Sequence, residues 1–235
     1  MPASATTGSS AASRADWFRM GWPRGAVGAF IGIALAATLG HLVPASEGLP
    51  WIVAPVGASA VLVFAVPASP LAQPWPLVGG NLLSMGVGLA IGKICALTGI
   101  GAPLAVAVAV GSAIAVMGLA RCTHPPGGAA AILGAMAGIA PSAHFPGPLT
   151  PLALNVAGIA VAGWIYNAMT GHAWPHIPAT LPSPAPIHTV TYDRADLDAV
   201  LADWDETLDV EPDDLDALFR AVERRVLRRW EDDHK

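Results

Sequence analysis

Charge is the scarcest commodity in most of this chain. Only 12% of its 235 residues are Asp, Glu, Lys or Arg, and residues 24–188 contain four of them: Arg24, Glu47, Lys93 and Arg121. A soluble domain of that length needs a far more heavily charged surface, so this stretch belongs in lipid. Cysteine is nearly absent. Cys95 and Cys122 have no metal-ligand spacing and suggest no disulfide framework, so they read as small buried residues. No G-x-S-x-G, H-E-x-x-H, phosphate-binding P-loop or C-x-x-C occurs, and Ser59 with His124 is the one pairing of hydroxyl and base that could be forced into a hydrolase. We therefore expect neither an enzyme nor a cofactor. The first twenty residues lack the apolar core and cleavage site of a secretory signal, and residues 1–21 read as a disordered lead-in.

What the chain has in quantity is apolar side chains, 54% of the total, with a mean hydropathy of +0.54. They fall into six segments. Ala26–Val43 is long enough to span, with Gly28, Gly32, Ala36 and Gly40 forming a small-residue stripe. Leu49–Val66 has spanning length, but Pro50 and Pro55 leave only Gly57–Val66 for regular helix, about half of a ~30 Å hydrocarbon core. Leu77–Leu97 and Pro103–Ala120 follow as full spans, Gly127–Ala140 as a second short helix, and Leu152–Met169 as the sixth segment. The fold expected is all-α and polytopic, with the transmembrane domain over residues 22–170. Arg14, Arg19 and Arg24 crowd the entrance to the first span, placing the N-terminus in the cytoplasm.

The two halves resemble one another. Pro55-Val-Gly-Ala-Ser aligns with Pro125-Pro-Gly-Gly-Ala at an offset of 70, and Asn81 aligns with Asn155 at an offset of 74. Three segments per copy force opposite orientations, so the expectation is an inverted repeat. Residues 171–190 read as a proline-rich linker, and 191–235 as an acidic cytoplasmic hairpin of two amphipathic helices. The first is capped by Asp193 and the second begins near Pro212. Fifteen of the chain's 17 acids lie from Asp193 onward, which argues against a nucleic-acid partner.

The sharpest interruption is Arg121-Cys-Thr-His-Pro-Pro-Gly-Gly. If Pro55 and Pro125 each precede a short helix entering from opposite faces, two helix N-termini converge, and their N–H groups and dipoles make an anion site. The membrane portion carries one acid against three bases and no intramembrane carboxylate for a cation. The expected substrate-binding residues are Gly57, Ala58 and Ser59 facing Gly127, Gly128 and Ala129, with Asn81, Asn155 and His124 beside them. Ser59 serves equally well as a helix–helix hydrogen bond, whereas the recurrence of the asparagines in both halves favours a site over that structural role. His124 is open to three roles: hydrogen-bond donor, carrier of a cotransported proton, or tie to a loop carbonyl. Arg121 and Lys93 read as snorkelling anchors.

These residues resemble the HPP family of integral membrane proteins. The carriers are His124-Pro125-Pro126 with the following Gly-Gly-Ala, and Ala54-Pro-Val-Gly-Ala-Ser leading into Ser69-Pro-Leu-Ala-Gln-Pro74 and Gly79-Gly-Asn81. The resemblance implies nitrite transport. Gly127 stands where many members have Ala, and Asn81 where some have His, which puts proton coupling at that position in doubt. The expectation is a homodimeric transporter or channel for a small inorganic anion, nitrite or nitrate, in the lipid bilayer of the inner (plasma) membrane with both termini cytoplasmic. The alternative is a non-transporting anchor or sensor acting through its C-terminal hairpin.

Overall fold

The computed structural model describes residues 21–42, 51–140, 147–176, 192–204 and 212–233. The expectations placed on residues 1–20, Glu47, Pro50 and the linker beyond residue 176 lie outside that set. Every regular element among the described residues is helical: α1 (Gly21–His41), α2 (Pro55–Ala65), α3 (Asn81–Thr98), α4 (Ala102–Leu119), α5 (Pro126–Ile139), α6 (Leu149–Met169), α7 (Arg194–Asp203) and α8 (Pro212–Asp233). A short 3-10 turn at Pro70–Ala72 and a π-helical turn at Pro76–Gly80 lead into α3. Four stretches of 18 to 23 residues are long and apolar enough to cross a membrane: α1, Pro76–Thr98, α4 and α6. At ~1.5 Å per residue, the 11 residues of α2 and the 14 of α5 reach only part of the way.

Local chemistry sets the ends of these helices. Both short helices begin on a proline at the first helical position, one or two residues earlier than expected, because proline there has no N–H to lose and a φ already suited to helix. Helix α3 stops at Gly99, whose φ of 74° is the left-handed conformation glycine adopts without strain. At the end of α4 the same role falls to Arg121, with φ 52°. The Arg121 N–H donates to the Gly118 carbonyl and the Cys122 N–H to the Met117 carbonyl, so the last turn is closed by a paired cap on a side-chain-bearing residue. Arg121 is exposed, and its backbone is what turns the chain toward His124.

Helices α1 and α6 run antiparallel. Ala36 lies against Gly158, Gly32 against Ile159 and Gly28 against Tyr166. Helix α2 fills the remaining angle with Phe64, which packs on Gly28 and Gly32 and meets Tyr166 edge-on at 5.9 Å. It runs parallel to α6, since Val53 bonds Asn155 at one end and Val63 bonds Asn167 and lies against Gly163 at the other. Helix α5 runs parallel to α3 in the same way. Here Gly88 and Gly92 lie against the Ala131 and Ala135 backbone, and Gly134 and Gly138 against the Met85, Leu89 and Lys93 backbone, leaving no room for a side chain on either helix. Lipid offers apolar helices no hydrophobic reason to associate, so such close approach supplies the van der Waals contact that holds them. Phe64, Leu77, Met85, Leu152 and Ile159 form the fully buried centre, while Leu104, Ile114, Leu119, Trp164 and Met169 face outward, as a lipid-facing surface requires.

Arg24 is not at the surface. It is buried at the start of α1, where its guanidinium donates to the Phe64 carbonyl at 2.9 Å, Asn167 Oδ1 at 2.8 Å and Thr170 Oγ1 at 3.3 Å. Phe64 and Asn167 sit at the C-terminal ends of α2 and α6, where the helix dipoles favour a cation. One arginine thus ties three helix ends together, a role beyond the topological one its position suggested.

The expected capping box at Asp193 is present, with Asp193 accepting from Ala195 N and Asp196 accepting from Asp193 N. Helices α7 and α8 are joined through Tyr192, which stacks on Phe219 and donates to Asp216, and through Arg194, which bonds Asp198 and Asp213. No residue of α8 is buried, so its apolar face of Leu218, Phe219, Val222 and Trp230 is exposed.

Candidate functional site

Three of the residues singled out in the sequence meet in one buried cluster. His124 Nδ1 donates to the Leu71 carbonyl at 2.8 Å, and its Nε2 lies 2.8 Å from Ser59 Oγ. Asn81 Nδ2 donates to Ser59 Oγ at 3.1 Å and to the Leu77 carbonyl at 2.8 Å. Ser59, Asn81 and His124 are each fully buried. Four separate pieces of chain therefore converge: α2, the Pro70–Ala72 turn, the start of α3, and the link between α4 and α5.

The local sequence explains how they come so close. The π-helical turn at Pro76–Gly80 ends in two glycines, and Gly80 is the position against which His124 is seated. A Cβ there would collide with His124 Cβ and stand 2.8 Å from the Cys122 carbonyl. Wide turns of this kind inside helices frequently mark functional sites. Cys122 lies against Gly79 and is itself buried, which agrees with its reading as a small core residue. Gly79-Gly80-Asn81 and His124-Pro125-Pro126 are thus two sides of one contact.

The remaining expected site residues are placed differently. Asn155 does not join the cluster. Its Oδ1 accepts from Val53 N at 3.1 Å, and its Nδ2 donates to the carbonyls of Ala36 and Trp51, binding α6 to α1 and to the segment ahead of α2. The physical reason is their neighbours: Asn155 lies beside the chain leading into α2, whereas Asn81 lies beside α2 itself. Gly127 packs against the Gly80 carbonyl, Ser84 Oγ and Met117 Sδ rather than facing α2. Gly57 and Gly128 border open space, and Ala58 and Ala129 are exposed. The first-turn N–H groups are also less available than expected. Val56 and Gly57 donate to Val53 and Ala54 carbonyls, and Gly127 and Gly128 donate to His124 and Pro125 carbonyls. Any helix-end attraction for an anion therefore comes from the dipoles more than from orphan donors.

One participant went unread. Ser84 is fully buried on α3, and neither its Oγ nor Asn81 Oδ1 has a hydrogen-bond partner. A Cβ on Gly127 would stand 2.8 Å from Ser84 Oγ, so that hydroxyl points at the first turn of α5. Its spacing of three from Asn81 puts both on one helix face, and that spacing was the available signal. No group of three or more His, Cys, Asp or Glu suited to a metal occurs among the described residues. The arrangement is a neutral, polar cluster with unused hydrogen-bonding capacity inside an apolar bundle.

Comparison with known proteins agrees with the architecture. Over 120 residues the chain is 39% identical to a transmembrane protein of Dictyostelium discoideum, covering 51% of this chain and 38% of that protein. A second transmembrane protein of the same organism is 35% identical over 118 residues, covering 50% of this chain and 41% of its own length. The chain thus spans about two fifths of the length of these relatives. No solved structure matches it. The family model of the HPP transmembrane region matches residues 13–175, the interval that contains the spans, both short helices and the His124 cluster. The chain belongs to the HPP transmembrane family and is a multi-pass membrane protein.

Proposed function

We propose that this protein is a transporter or channel for a small monovalent anion, nitrite or nitrate, in the inner (plasma) membrane with both termini cytoplasmic. The observation that carries the reading is the fully buried Ser59–Asn81–His124 cluster. Polar groups buried in a membrane domain are costly and tend to mark a substrate path. Two further features support it. The short helices α2 and α5 both begin close to this cluster, so their positive dipole ends favour an anion there. The parallel pairs α2 with α6 and α5 with α3, formed across the halves, fit two inverted copies of three segments. In this reading the protein is not an enzyme, needs no cofactor and works as a homodimer.

The test is uptake by the full chain in proteoliposomes across nitrite, nitrate, formate and chloride. Protein-dependent flux of at least one is expected, and flux of none would sink the reading.

A further inference from the structure

The hydrogen bonds around His124 fix the direction of the groups at its two ends. The Leu71 carbonyl can only accept, so His124 Nδ1 carries a proton. With the ring neutral, Nε2 is an acceptor, and the Ser59 hydroxyl proton is shared between Nε2 at 2.8 Å and the Pro55 carbonyl at 3.1 Å. Ser59 Oγ is left with lone pairs for Asn81 Nδ2, and the Leu77 carbonyl demands the same amide nitrogen. The Asn81 amide is therefore held against flipping by two acceptors, and its Oδ1 is the atom left over, buried and unpartnered. Ser84 Oγ, one turn along the same face and aimed at the first turn of α5, is the second unpartnered atom. It has a proton to give.

An amide oxygen and a hydroxyl make a particular pair. The oxygen accepts and repels a bare anion, whereas the hydroxyl donates to one. A ligand that satisfies both brings one O–H and one acceptor oxygen, which is the constitution of an oxyacid in its protonated, neutral form. Charge points the same way. Helices α2, α4 and α5 carry no titratable side chain, and α3 carries only Lys93 and Cys95 in its second half. The Pro70–Ala72 turn carries none, and the link holding His124 adds buried Cys122 and the exposed Arg121. No fixed cation faces Asn81 and Ser84 from these elements to neutralise an anion, and an unpaired buried charge is expensive.

We propose that Asn81 and Ser84 bind the conjugate acid of a small oxyanion, so that the anion crosses accompanied by one proton. The acid O–H donates to Asn81 Oδ1, and Ser84 Oγ–H donates to the second oxygen. The proton enters bound to the substrate and leaves with it, so no net charge moves. His124 is a positioning residue, acting through Ser59 on the Asn81 amide. The inference rests on the anion-transport reading and sharpens its substrate class. Anions of weak oxyacids qualify, while anions of strong acids, which have no protonated form near neutral pH, do not.

The test uses the full chain in proteoliposomes with a clamped membrane potential and an internal pH dye, corrected against protein-free liposomes. Nitrite and formate should be carried, each with one proton, at rates that rise as external pH falls and do not change when the potential is reversed. Nitrate and chloride should not be carried. Flux of nitrate or chloride equal to that of nitrite, or nitrite flux that follows the potential, would overturn the proposal while leaving anion transport intact. Absence of flux for all four probes would remove both. Ser84→Ala is the decisive variant. Its hydroxyl has no partner to lose, so thermal stability should hold while nitrite flux falls by about 10-fold. Unchanged flux would mean the two atoms hold a structural water only, and the proposal fails. His124→Gln, which can still donate to the Leu71 carbonyl, should keep more selectivity for formate over chloride than His124→Ala, and equal selectivity in the two would remove the positioning role.

Discussion

The two short helices are each flanked by a long one that runs parallel to it, and each long helix carries a buried asparagine beside the short helix or its approach. Asn155 on α6 spends its amide entirely on structure, with its oxygen on Val53 N and its nitrogen on the Ala36 and Trp51 carbonyls. Asn81 on α3 commits only its nitrogen and keeps its oxygen free. The packing around them differs in the same sense. Helix α2 is fixed with bulky aromatic contacts and by Arg24 at its C-terminal end. Helix α5 is fixed to α3 by glycine on both partners. Two places with similar sequence thus carry different chemistry: one is a clamp, and the other keeps an unused acceptor.

The comparison breaks most severely if the glycine contact is filled. A Cβ on Gly92 would run into the Ala135 carbonyl, and backbone cannot yield as a side chain does. Gly92→Val should cost several times the ~1–3 kcal/mol of ordinary overpacking, removing the monodisperse species in size-exclusion chromatography. Normal elution would show that α3 and α5 are not packed as described.

Next in size is the clamp. Asn155→Ala strips the partner from the buried Val53 N–H and two carbonyl contacts, at about 1–3 kcal/mol for each group left unpaired. Thermal unfolding in nanodiscs should show a clear loss of stability. Asn81→Ala should lower the unfolding temperature less and depress nitrite flux more. An equal loss of stability in the two variants would erase the distinction between clamp and site.

The smallest expected effect lies outside the membrane domain. Arg220 and then the Tyr192 hydroxyl, both hydrogen-bonded to Asp216, hold its carboxyl below the usual carboxylate range. A depressed pKa means that this contact helps dock α8 above the ordinary carboxylate range and is lost as pH falls through the lowered value. Hydrogen-exchange protection of α8 in the full chain, corrected for the intrinsic pH dependence of exchange, should therefore fall modestly once the pH drops below the usual carboxylate range, and Asp216→Asn should remove most of that dependence. Arg220 is exposed and Asp216 only partly covered, so a large effect would point to some other contact.

Much of this protein is legible in its residues. Spanning lengths, proline at the first turn of α2 and α5, and the Asp193 cap all follow from short-range rules. So does the importance of His124-Pro125-Pro126, because a polar break in an apolar run is conspicuous without any coordinates. The pairing of Ser59 with His124 is conspicuous in sequence only as a hydroxyl and a base, whereas the structure shows it as a buried hydrogen bond whose hydroxyl oxygen also accepts from Asn81. Alignment of the halves pairs Asn155 with Asn81 by residue type, and only the packing gives the two amides different partners. Ser84 has no signal beyond its spacing from Asn81, and Arg24 reads from sequence only as a topological charge, because a serine in a span and an arginine at its entrance have ordinary roles.

The sequence by itself determined what kind of object this is, because scarcity of charge, run length and helix-breaking residues act through solvent and local backbone geometry. Tertiary structure alone decided which polar atoms spend their hydrogen bonds and which keep them. Gly80 admits His124, His124 orients Ser59, and Ser59 with the Leu77 carbonyl turns Asn81 Oδ1 into an unused acceptor. That outcome depends on groups up to 65 residues apart in the chain meeting within hydrogen-bond distance, and no short-range rule specifies it.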